Sequence, residues 1–119
     1  MLSGSCHCGA VRIELPTPPA KATLCNCSIC RRLGALWVYY PFGSVSFIGH
    51  PQHTEGYIQG DRTLSTVRCR HCGCVTHWEP LDPKPDAHMG VNLRNFDPAA
   101  MDAVELRRFD GADSWRFVD

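Results

Sequence analysis

Cys6-His7-Cys8-Gly9, Cys25-Asn26-Cys27-Ser28-Ile29-Cys30 and Cys69-Arg70-His71-Cys72-Gly73 hold seven of the chain's eight cysteines. Their spacing decides how the rest is read. The opening Met1-Leu2-Ser3-Gly4-Ser5 has no charged region followed by an apolar stretch, so no export signal is expected. A reducing cytoplasm follows as the expected location, and disulfides seldom persist there. In such a compartment Cys-x-Cys and Cys-x-x-Cys pairs read as metal ligands. If residues 6–8 are extended, Cys6 and Cys8 face the same side. A Cys-x-x-Cys turn likewise brings Cys69 and Cys72 together. Both arms end in Cys-Gly, and glycine tolerates the positive φ that lets backbone N–H groups approach sulfur. Two matching arms far apart in sequence pair into one closed four-thiolate zinc site, Cys6, Cys8, Cys69 and Cys72, that clamps the chain.

That pairing leaves Cys25, Cys27 and Cys30 as a second zinc site. Three thiolates leave the fourth position of a tetrahedral ion open, as catalysis or ligand binding requires. Arg31 and Arg32 follow directly; they either favour the thiolates and an anionic substrate or are solvated surface groups. A zinc ribbon built from Cys27, Cys30, Cys69 and Cys72 is an alternative that spacing does not forbid. Cys74 either completes the second site or packs as a small buried side chain, and packing is favoured.

Working outward, Val11–Leu15 alternates apolar and polar residues, the period of a half-buried strand. Pro16, Pro18 and Pro19 close it. Residues 36–40, 45–48, 54–58, 64–69, 74–78 and 88–93 are further strands, rich in β-branched and aromatic residues and bounded by Gly and Pro. Helical signal is confined to residues 28–33 and to Asp97-Pro98-Ala99-Ala100-Met101, an N-cap followed by Pro at the first helical position. The expected fold is mainly β, in short antiparallel strands with little helix. With 119 residues the chain fits one domain, 1–119.

Twelve Lys/Arg balance twelve Asp/Glu, and no basic stripe is visible, so no nucleic-acid partner is expected. No apolar run of about 18 residues exists to cross a membrane. Nothing in the sequence sets the oligomeric state. His7 and His71 lie inside the knuckles, where the intervening side chain points away from the metal. His50, His53, His77 and His88 have no register tying them to a thiol cluster and read as packed or surface groups. Trp37, Tyr39, Tyr40 and Trp78 read as core.

These segments resemble the glutathione-dependent formaldehyde-activating family, also called the centromere-protein-V family. The resemblance rests on Gly4-Ser5-Cys6-His7-Cys8-Gly9-Ala10-Val11, on Cys25 to Arg31, and on Arg68-Cys69-Arg70-His71-Cys72-Gly73. Gly90-Val91-Asn92-Leu93 and the Asp97 region look like the family's last strand and turn. The resemblance implies a β-tent fold, similar to that of a guanine-nucleotide-exchange chaperone of small GTPases. It also implies a structural zinc on Cys6, Cys8, Cys69 and Cys72, and a catalytic zinc on Cys25, Cys27 and Cys30. The activity it implies is carbon–sulfur lyase chemistry on a small thiol adduct, S-hydroxymethylglutathione or a similar compound. The second function class weighed is a non-catalytic zinc-stapled β-scaffold that docks another protein.

Overall fold

The computed structural model describes residues 2–119. It is mainly β, with 43% strand and 12% helix. Eleven strands, two short α-helices and one 3-10 turn follow in the order β1 (Leu2–Ser5), β2 (Arg12–Leu15), β3 (Lys21–Cys25), α1 (Ser28–Leu33), β4 (Trp37–Pro41), β5 (Ser46–Ile48), β6 (Thr54–Ile58), β7 (Leu64–Cys69), β8 (Val75–Pro80), β9 (His88–Asn92), the turn Leu93–Asn95, α2 (Pro98–Asp102), β10 (Glu105–Asp110) and β11 (Arg116–Phe117). The strands form a three-stranded sheet, β1-β2-β5, and an eight-stranded sheet, β11-β10-β3-β4-β9-β8-β7-β6.

The core lies where the two sheets meet. Ile13 and Leu15 from β2 are fully buried and pack with Val38, Tyr40, Met89, Val91, Leu93 and Phe96. Each such side chain contributes roughly 1.5–3 kcal/mol by leaving water. Along β4 the side chains alternate: Val38 and Tyr40 enter this core, while Trp37 and Tyr39 line a cleft on the opposite face. Gly90 on β9 leaves room for the Trp78 indole that lines that cleft, because a Cβ there would collide with the ring.

Both helices form where their sequence signals lie. Cys27 caps α1, its sulfur accepting the Cys30 N–H, and Gly34 ends it at φ 65°. Asp97 caps α2 through the Ala99 N–H, with Pro98 at its start. Residues 54–58 and 64–69 are strands with the expected bounds, whereas β8 runs on through Pro80. Pro80 is tolerated there because it terminates the strand opposite Leu64.

Three differences from the sequence reading matter for the site. Strands β1, β3, β10 and β11 were not anticipated: Lys21-Ala22-Thr23-Leu24-Cys25 is short and opens directly onto the cysteine turn. Strand β10 pairs with β3 in parallel, from Glu105 opposite Lys21 to Phe109 opposite Cys25, so the sheet is not wholly antiparallel. Finally, Cys6 to Cys8 follow β1 as a turn rather than lying in a strand. Their sulfurs converge because the chain reverses, closing with Gly9 N–H to Cys6 O at 3.1 Å.

Candidate metal centre

Cys6, Cys8, Cys69 and Cys72 present four sulfurs within 4.8 Å of one another. Cys6 Sγ lies 3.8 Å from Cys8 Sγ, and Cys8 Sγ lies 3.6 Å from Cys69 Sγ. A tetrahedral zinc with four sulfur bonds separates its sulfurs by about 3.8 Å, so the donor set fits that ion. Backbone N–H groups point at the sulfurs: Val11 to Cys6 at 3.3 Å and His71 to Cys69 at 3.4 Å. Gly9 at φ 82° and Gly73 at φ 80° supply the left-handed turns that aim them. The surroundings set Cys72 and Cys8 apart in acidity. Burial opposes ionisation of Cys72, yet backbone N–H groups of Cys74 and Cys8 hold its pKa down at about 5. At Cys8 the Ala10 N–H favours the thiolate, but desolvation and the sulfurs of Cys69 and Cys6 push the pKa up to about 11. A cation replaces such shared protons on binding.

Cys74 belongs to this neighbourhood and not to the second cluster. It packs against Cys6, Val11 and Cys69, and its carbonyl accepts the Cys69 N–H at 3.0 Å. The pairing of Cys69 and Cys72 with Cys6 and Cys8, rather than with Cys27 and Cys30, likewise sets the zinc-ribbon arrangement aside.

Cys25, Cys27 and Cys30 form a separate trio, also within 4.8 Å. Cys25 ends β3 and Cys30 lies in α1, with Cys27 between them as the helix cap. Cys27 N–H points at Cys25 Sγ at 3.5 Å, Cys30 N–H at Cys27 Sγ at 3.4 Å, and the Trp37 indole N–H at Cys30 Sγ at 3.3 Å. Burial, against that indole donor, pushes the Cys30 thiol up to about 12. At Cys27 burial opposes the thiolate, but the Cys30 and Ile29 N–H groups together with the Cys30 and Cys25 thiols outweigh it, and its pKa is lowered.

All three cysteines line a cleft of about 520 Å³. Trp37, Tyr39 and Trp78 form its floor, Ile29 and Leu33 one side, and Phe109, Trp115 and Phe117 another. Gln59, Gly60, Asp61 and Thr63 make a polar rim, and no lysine or arginine is among the lining residues. The aromatic residues read as core from sequence therefore divide: Tyr40 is buried, while Tyr39 is 47% exposed and meets Trp78 edge-on at 6.2 Å. Arg31 and Arg32 are exposed, and the Arg32 guanidinium donates to Ser28 O at 2.7 Å. They behave as surface groups.

The wall from residues 109–117 is the part that sequence reasoning missed. Asn26, between two cysteines, donates to Asp110 Oδ1 at 3.0 Å and accepts from the Ala112 N–H at 3.0 Å, tying the C-terminal hairpin beside the thiols. Phe109 stacks edge-on with Trp115 at 5.1 Å and with Phe117 at 5.0 Å. Only the aromatic content of Phe109, Trp115 and Phe117 hinted at this role.

Two thiol clusters, one closed around the chain and one opening on a cleft, coincide with a family match. The family model described as "Glutathione-dependent formaldehyde-activating enzyme" covers residues 1–107. The chain belongs to that family. A Halomonas elongata protein named "Putative glutathione-dependent formaldehyde-activating enzyme" is 54% identical over 33 residues, 27% of this chain. That match spans about a fifth of the relative, 21% of its length. The crystal structure of a Rhodobacter sphaeroides protein superposes with a TM-score of 0.70 at 32% identity, covering 88% of this chain and 99% of that one. No helix among the described residues is long and apolar enough to cross a membrane.

Proposed function

We propose that the chain is a zinc-dependent enzyme that makes or breaks the carbon–sulfur bond of an S-hydroxymethyl thiol adduct. The observation that carries this reading is the opening of the Cys25–Cys27–Cys30 trio onto the aromatic cleft. Cys6, Cys8, Cys69 and Cys72 would hold a structural zinc and the trio a catalytic one. A zinc at the trio supplies Lewis-acid charge for a thiolate sulfur or a carbonyl oxygen.

The chain's own residues do the rest. The aromatic floor and side walls hold the adduct's apolar S–CH2 portion against the thiols. Tyr39 is suited to keep its proton: partial burial, opposed by the Thr23 hydroxyl and helped by the Cys25 and Cys30 sulfurs, pushes its phenol above the usual value. In the synthetic direction the substrate's thiolate sulfur attacks the aldehyde carbon. The C–S bond forms, the C=O π pair moves to oxygen, and that oxyanion, hydrogen-bonded by the Tyr39 hydroxyl, takes a proton from solvent. In the reverse direction a solvent base removes the hydroxyl proton while Tyr39 keeps its own, C=O re-forms, and the sulfur leaves as thiolate. A neutral donor aimed at the developing oxyanion is the common device for such additions.

Family membership supports glutathione as the thiol. Its peptide ends would sit at the rim formed by Gln59, Asp61 and Thr63, where Asp61 offers a carboxylate to the γ-glutamyl ammonium group. The thiols require a reducing compartment, which we take to be the cytoplasm, with residues 1–119 acting as one domain. The test is exchange between formaldehyde and S-hydroxymethylglutathione, followed by NMR exchange spectroscopy with wild type, Cys27→Ser and Tyr39→Phe. Acceleration by wild type, lost in Cys27→Ser with the fold retained, supports the reading. Equal rates with and without wild-type protein would leave the zinc-stapled docking scaffold.

A further inference from the structure

His50, His77 and Glu79 stand apart from both thiol clusters, at the joint between the two sheets. His77 and Glu79 lie on β8, on the opposite side of that strand from Trp78 and the cleft, and His50 follows β5. Phe47 of β5 covers the pair of rings, its centroid 4.3 Å from His77 and 5.4 Å from His50. The His77 side chain is 0% exposed, His50 17% and Glu79 26%, so solvent reaches the group past His50 and Glu79 while His77 is shut in.

Each ring turns Nδ1 to a hydroxyl. His77 Nδ1 lies 2.8 Å from the Thr76 hydroxyl, which also reaches Val67 O at 3.3 Å. His50 Nδ1 lies 2.8 Å from the Thr54 hydroxyl, which also reaches Pro51 O at 3.4 Å. With each hydroxyl proton on its carbonyl, the ring N–H sits on Nδ1 and the lone pair on Nε2. His50 Nε2 faces Glu79 Oε1 at 3.2 Å, and His77 Nε2 faces Glu79 Oε2 at 3.3 Å. An ionised carboxylate has no proton to donate. With Nε2 protonated each ring donates to Glu79; with Nδ1 protonated two nitrogen lone pairs and a carboxylate face one another, and a cation between them answers all three.

Two protons, one on each ring, are a poor answer. They place two imidazolium ions on one carboxylate, one of them fully buried. Burial already pushes the His77 pKa down, against the pull of Glu79. A metal ion answers all three groups together. The three donor atoms lie within 4.8 Å of one another. Donors around a tetrahedral zinc-sized ion bound at about 2.0–2.1 Å are separated by about 3.4 Å, close to the two contacts above. Both rings also turn their second nitrogen to a hydroxyl oxygen, the outer contact that fixes tautomer and orientation in metal-bound histidines.

We propose that His50, His77 and Glu79 form a third metal site, for a first-row divalent ion such as zinc, that pins the strand of Phe47 to β8. Imidazole donors suit zinc, copper, iron and nickel, and a carboxylate adds a harder oxygen donor to the set. The site is independent of the cleft and of any chemistry there.

Cadmium-113 NMR of the full chain loaded with cadmium tests it. Sulfur-bound and nitrogen/oxygen-bound cadmium resonate in well-separated regions, so the thiol sites act as an internal reference. The expected result is one resonance in the nitrogen/oxygen region, with scalar coupling to Nε2 of both His50 and His77 in labelled protein. In Glu79→Gln that resonance weakens or vanishes, with affinity lower by at least about 100-fold, while the sulfur-bound signals stay. Absence of the nitrogen/oxygen resonance from wild type overturns the proposal, as does its survival at full intensity in folded Glu79→Gln. If that variant does not fold, the wild-type coupling to the two rings decides alone.

Discussion

Gly111 lies so close to Cys25 that a Cβ on it would come within 2.7 Å of the Cys25 sulfur and 3.2 Å of Cys27 Cβ. The C-terminal hairpin thus touches the open thiol cluster through backbone. Gly111→Ala is expected to push the hairpin off the cysteines and leave the Cys6–Cys8–Cys69–Cys72 clasp intact. One metal is retained at wild-type affinity while the other is released more readily to a chelator. Retention of both at wild-type affinity would contradict the contact.

The two thiol clusters predict opposite phenotypes. Cys72→Ser breaks a site that links residues 6–8 to 69–72, and zinc at such sites carries on the order of 10 kcal/mol of folding free energy. Loss of the native circular-dichroism spectrum is expected. Cys27→Ser is expected to keep that spectrum and lose turnover. Two folded, fully active variants would refute the division into clasp and reaction site.

Among the described residues, the Trp37 indole N–H is the one side-chain N–H donor aimed at the open cluster, 3.3 Å from Cys30 Sγ. Trp37→Phe keeps an aromatic floor and removes that bond. Outer-shell contacts of this kind are worth about 10- to 100-fold in metal affinity. Chelator competition should show a weakening of that order at the second site alone.

Asp119 accepts the Arg108 N–H at 3.1 Å and Arg107 Nε at 3.2 Å, anchoring the end of the chain to β10. The Arg108 backbone donor, opposed by desolvation and helped by Arg107, lowers its pKa below 3.8. A carboxyl lowered in the folded state stabilises it fully above the unfolded value, and that contribution fades as pH falls through the folded one. The Arg108 amide should therefore exchange more slowly in wild type than in Asp119→Asn at pH 5–8. The difference should shrink only below about pH 4.

Much of this was written locally in the sequence. Strands 54–58 and 64–69 flank the turn Gln59-Gly60-Asp61, and the Cys-Gly pairs mark left-handed turns, so elements and clasp were both legible. The partner of β3 was not. Glu105–Asp110 has no period that separates it from a loop, and it becomes a strand because β3 offers it an unpaired edge. The roles of Tyr39 and Trp78 were hidden for a related reason. An aromatic residue on a two-faced sheet looks the same whether it meets core or cleft, and Gly90 decides which by leaving room for the indole. His50 and His77 are 27 positions apart by number, and only the meeting of β5 and β8 brings their rings to 4.7 Å.

The hairpin that walls the cleft is built apart from the thiol turns. Phe109, Trp115 and Phe117 all come from residues 109–117, and every cysteine lies between residues 6 and 74. The two halves of the cleft can therefore be altered separately: a change in the last dozen residues reshapes one wall and leaves each sulfur on its own turn.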